Sequence, residues 1–95
     1  MVVDLKTLEI AFGVILKYMN ERQIHEVEIN DDFYWFIPEE ERYDSYQRPT
    51  TMTIGQLTED WENVRKIASG ESRPVGLALR WLAAILIPVG ERSGI

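Results

Sequence analysis

Cysteine is absent from the sequence. That excludes disulfides, thiolate metal sites and cysteine nucleophiles, and it fits a reducing compartment. Histidine occurs once, as His25, so neither a multi-histidine metal cluster nor an HExxH zinc helix can form. A serine nucleophile would have to pair His25 with Ser45, Ser69, Ser72 or Ser93, and none of these serines stands in a nucleophile-elbow context. No glycine-rich phosphate loop is present, which leaves nucleotide binding without support. Lysine and arginine are scattered and outnumbered, 10 against 16 acids, a balance that repels nucleic acid and anionic lipid. Long apolar runs are also missing. The most apolar window, Val75 to Val89, is interrupted by Arg80 and is too short to cross a bilayer. The opening MVVDLKTLEI has no basic region ahead of an apolar run, so no signal peptide is expected and the predicted location is cytoplasmic. Catalytic residues, cofactors and metal sites are accordingly predicted as none, and neither a nucleic acid nor a membrane is expected as a partner.

What the chain does contain is an ordinary globular balance. Its 95 residues are 45% hydrophobic and 27% charged, enough for one core and one domain spanning 1–95. The net charge is −6, and its distribution is uneven. Between Glu26 and Asp44 lie eight acids and one base, Arg42; the remaining sequence holds eight acids and nine bases. The acidity therefore belongs to one segment, which would attract basic surfaces.

Asp4 to about Arg22 reads as an amphipathic helix. Leu5, Leu8, Phe12, Ile15, Leu16 and Met19 follow three- and four-residue spacing, and Asp4 is placed to cap the first turn. Ile10, Val14 and Tyr18 add a second apolar row, so a wide face must be covered. Ile24 to Asn30 alternates and reads as a strand, with Val27 and Ile29 on one side. Asn30-Asp31-Asp32 is turn chemistry, which makes Phe33–Ile37 the returning strand of a hairpin, stopped by Pro38. Residues 39–51 read as a polar loop, with a short third strand near Thr50–Thr53. Thr53 and Gln56 fit a capping box for a helix running to about Ser69 with a stop at Gly70. A last helix is expected from about Pro74 to Ile87, ended by Pro88 and Gly90. It is apolar on nearly every face, so it belongs at the centre of a core or in an interface. A homodimer built partly on it would use Leu79, Leu82 and Leu86. The predicted fold is a small α+β domain, order α-β-β-(β)-α-α, with an antiparallel hairpin or meander packed on three helices.

The most distinctive stretch is DDFYWFIPEEERYDSY, residues 31–46. Aromatic residues interleave there with acids. Tyr34, Trp35, Phe36, Glu39, Glu40, Glu41, Tyr43, Asp44 and Tyr46 form the candidate partner-binding set: aromatics supply anchoring energy at interfaces, and acids steer a basic partner into place. The glutamates after Pro38 also guard an apolar strand against stacking with copies of itself. The competing expectations are a structural homodimer or accessory subunit, and a small metal-dependent hydrolase using Asp31, Asp32 or the glutamates.

YWFIP, then ERYDSY, then TIGQLTEDWENV resembles a pattern in small uncharacterised bacterial proteins. The resemblance is carried by Tyr34, Trp35, Pro38, Tyr43, Asp44, Gly55, Gln56, Leu57, Asp60 and Trp61, about the middle third of the chain. It implies no particular activity. Some acidic bacterial proteins of this size are immunity proteins that neutralise toxins. By that analogy the expected function is non-enzymatic binding of a basic protein partner, in the manner of an immunity protein or antitoxin.

Overall fold

The computed structural model describes residues 1–36 and 53–95, with Phe36 and Thr53 described in the backbone only. Among these residues the order is α1 (Leu5–Glu21), β1 (Phe33–Phe36), β2 (Thr53–Gln56), α2 (Leu57–Ala68) and α3 (Ala78–Arg92). The domain is α+β. No described helix is long and apolar enough to cross a membrane.

Helix α1 is built by local signals at both ends. Asp4 accepts from the Thr7 backbone N–H at 2.7 Å and from the Thr7 hydroxyl at 2.6 Å, which satisfies an orphan donor of the first turn. At the other end Gln23 adopts a left-handed φ of 63°. The Gln23 N–H returns to the Asn20 carbonyl and the Ile24 N–H to the Met19 carbonyl, each at 2.9 Å. This is a Schellman closure made without glycine. Yet no residue of α1 is buried. Gly13, whose mid-helix position suggested close approach of another element, has nothing within 4 Å of where a Cβ would stand.

Beyond α1 the strand pairing differs from the sequence expectation. Ile24–Asp32 forms no strand. The inside–outside pattern there is correct, since Val27 and Ile29 are half-buried while Glu26, Glu28 and Asn30 are exposed. Alternation specifies which side chains are covered; it does not specify a hydrogen-bonded neighbour. Strand β1 instead pairs antiparallel with β2, Phe33 opposite Gln56, Tyr34 opposite Gly55, Trp35 opposite Ile54 and Phe36 opposite Thr53.

Thr53 and Gln56 are therefore strand residues, and the capping box they suggested does not form. The start of α2 is capped from a distance. Asp32 Oδ1 accepts from the Thr58 N–H at 2.8 Å and from the Thr58 hydroxyl at 2.6 Å, while its Oδ2 accepts from the Gln56 amide at 2.9 Å. The Asp32 carbonyl also accepts from the Leu57 N–H at 2.6 Å. A residue expected in a hairpin turn thus ties the incoming chain to α2. The C-terminus of α2 is as expected: Gly70 takes φ 83°, and Gly70 and Glu71 close onto Ile67 and Lys66.

Helix α3 starts and ends later than expected, and it runs through Pro88. Proline lacks the N–H for its own turn, but Pro88 is buried. Tertiary packing holds the helix together across it. The α2–α3 pair and the ribbon β1–β2 enclose the small core, where Leu57, Ile85, Pro88 and the carboxylate residue Asp60 are buried. Helix α1 does not join that pair closely and lines an open groove with it, so close packing of all three helices is not shown among the described residues.

Candidate interaction site

The ribbon has two unlike faces. On the inner face the Tyr34 ring lies across Gly55. A Cβ on residue 55 would overlap ring atoms Cζ, Cε1 and Cε2, so the ring keeps this position only over glycine. The Tyr34 hydroxyl donates to Asp60 Oδ2 at 2.5 Å. Asp60 is only 7% exposed, and a buried carboxylate needs such donors. Removal from water pushes the Tyr34 phenol up to about 12, the bond to Asp60 and its negative charge push the same way, and Arg80 opposes them. Tyr34 is therefore committed to the interior. Its ring closes the core and its hydroxyl serves a buried acid.

The outer face holds Phe33, Trp35 and Ile54, which are 68%, 62% and 54% exposed. Trp35 and Ile54 are directly opposed across the strands, so their side chains share one surface. Sequence reasoning chose Trp35 and passed over Phe33 and Ile54. The alternation of the strand was signal enough for Phe33, but Ile54 becomes visible only once β2 is known as the partner strand. Phe36 lies in β1, its backbone opposite Thr53. Glu39, Glu40, Glu41, Tyr43, Asp44 and Tyr46 lie outside the described residues.

Asp31 and Asp32, weighed as cation ligands, have protein partners. Arg92 pairs with Asp31, and Asp32 holds Thr58 and Gln56. The Thr58 hydroxyl, then the Gln56 amide and the Thr58 N–H, lower the Asp32 carboxyl below the ordinary aspartate value. Among the described residues no group of three or more His, Asp or Glu side chains gathers as a metal site.

A second feature is an open groove of about 680 Å³ between α1, the segment after it, α2 and α3. Phe12, Leu16 and Met19 line it from α1; Trp61, Leu82 and Leu86 line it from the other helices. Two of the predicted dimer residues, Leu82 and Leu86, thus face this groove. Leu79 is not among its lining residues and is 75% exposed.

No family model matches this chain, and neither a curated protein nor a solved structure matches it.

Proposed function

We propose that the protein is a non-enzymatic interaction protein that binds a basic protein partner through the outer face of its ribbon and the adjoining acidic segment, in the manner of an immunity protein or antitoxin. The observation that carries the reading is the exposed cluster of Phe33, Trp35 and Ile54, only a few residues from the glutamates at 39–41. Aromatic side chains in such a position supply anchoring area. The acidic run speeds encounter with a positive surface and orients it. The mechanism is occlusion: steered approach, then desolvation of the aromatic face against the partner.

The test uses a tagged chain and host lysate eluted in a salt gradient, followed by kinetics on whatever basic protein is released. Reversal of Glu39, Glu40 and Asp44 to lysine is expected to slow association and flatten its salt dependence. Trp35→Ala is expected to raise the dissociation rate with little effect on association. Unchanged kinetics in both variants would remove the site.

Self-association is the second reading, favoured by the exposure of Leu79 beside the groove residues Leu82 and Leu86.

A further inference from the structure

Exposure alternates along the start of β1. Asp32 and Tyr34 are half-buried, whereas Asp31, Phe33 and Trp35 are exposed. Both half-buried residues bond to α2. Asp32 accepts from Thr58, and Tyr34 donates to Asp60, two residues further on. Side chains two apart on a strand share one face, and those between them take the other. The bonds to Thr58 and Asp60 therefore set Phe33 and Trp35 pointing away from α2. A slip of one residue would turn Phe33 and Trp35 inward. It would also cost the buried Asp60 its Tyr34 donor, and carry the Tyr34 ring off Gly55, its partner in the observed register.

The pairing itself is short. Each strand has four residues, and a two-stranded ribbon is only marginally stable by itself. Where β2 passes directly into α2, Asp32 closes the ribbon's end. Its carbonyl takes the Leu57 N–H, and its carboxylate takes the Gln56 amide and the Thr58 N–H and hydroxyl. We infer that Asp32 is a positioning residue for the interaction face: by clamping β1 to the start of α2 it keeps Phe33, Trp35 and Ile54 together on the outer surface, without itself touching the partner. The inference rests on the proposed binding through that face and adds the residue that holds the face in shape.

Nuclear magnetic resonance on the full chain reads the clamp with no partner present. Trp35 and Ile54 are opposed across the ribbon, so their side chains give Overhauser contacts in the wild type. Asp32→Ala is expected to weaken these contacts severalfold and to speed amide exchange in β1 and β2, while amides around Ile85 in α3 keep their protection. Thr58→Val keeps the charge and removes the hydroxyl; it is expected to act the same way to a smaller degree, and Thr58→Ser to restore the contacts. Unchanged contacts in Asp32→Ala overturn the inference. Equal loss of protection in α3 also overturns it, because Asp32 is then a general support of the fold. Kinetics on the basic protein released from the lysate separate positioning from contact. With fewer chains holding a formed face, Asp32→Ala is expected to slow association and leave dissociation unchanged, the reverse of Trp35→Ala. The slowing should exceed that of Glu28→Gln, which removes one exposed acid outside the clamp. Equal slowing reduces Asp32 to its charge, and faster dissociation makes it a contact residue; either overturns the inference. Unchanged binding in Trp35→Ala and in the lysine reversals, with the ribbon still dissolved by Asp32→Ala, sinks the binding face and leaves the clamp standing.

Discussion

Helix α1 and the α2–α3–ribbon unit are made in opposite ways. Both ends of α1 are closed by its own neighbours, Asp4 with Thr7 at the start and Gln23 and Ile24 with Asn20 and Met19 at the finish. It has complete local specification and no buried residue. Helix α2 has no cap of its own from Gln56; its first turn is held by Asp32 from across the ribbon. Helix α3 tolerates a proline in its body. These two helices carry weaker local signals and hold the core. Local closure decides whether a helix can form, and burial decides whether it is part of a cooperative unit.

The widest separation between the regions should appear in stability. Ile85 is 7% exposed in the core, and Ile85→Ala is expected to cost about 2–5 kcal/mol, as large-to-small core changes do. Leu5, at the start of α1 and 73% exposed, should cost under about 0.5 kcal/mol as Leu5→Ala. Urea unfolding of both variants checks the contrast. Equal losses would mean that α1 belongs to the same packed unit.

The inner face of the ribbon gives the next largest effect. Tyr34→Phe keeps the ring over Gly55 but deprives Asp60 of a donor, and is expected to cost about 1–3 kcal/mol at neutral pH. It also has a pH signature. The phenol keeps its proton in the folded state up to about 12, while in the unfolded chain it ionises near 10. The folded state therefore binds more protons between those values, and stability falls as pH rises through that window. Below pH 10 the contribution is fully present. The difference in stability between wild type and Tyr34→Phe should shrink from pH 10 to 12 in pH-resolved denaturant melts. A difference independent of pH would detach the Tyr34 hydroxyl from the interior.

Much of this unit was legible before the structure, and the failures share one cause. The α1 cap at Asp4, the strand character of Phe33 to Phe36 and the stop at Gly70 are all written within a few residues. The pairing of β1 with β2 is not, because two polar-flanked strands were available and turn chemistry at Asn30-Asp31-Asp32 favoured the nearer one. Asp31 and Asp32 bond to Arg92 and Thr58 instead, partners far along the chain. The capping box failed for the same reason: Thr53 and Gln56 fit the pattern, but strand pairing claimed both. Pro88 ends a helix by local rules, and burial overrides them. For the site, Trp35 could be chosen from its neighbours. The division between an inward Tyr34 and an outward Phe33–Trp35–Ile54 face required knowing that Gly55 lies opposite Tyr34.

The smallest effect lies in α1 and sharpens what local closure means. Gln23 holds a left-handed backbone at φ 63°, a conformation that costs a residue with a Cβ roughly 1 kcal/mol and glycine almost nothing. Its N–H bond to Asn20 uses backbone atoms alone, so glycine can make the same closure. Gln23→Gly is therefore expected to stabilise the end of α1 by up to about 1 kcal/mol. Where that gain registers depends on whether α1 unfolds with the core. In a chain whose α1 opens by itself, hydrogen exchange at the Gln23 and Ile24 amides slows while the global melting temperature stays unchanged. In a chain whose α1 unfolds together with the core, the same substitution raises the global melting temperature, because the helix cannot fray by itself.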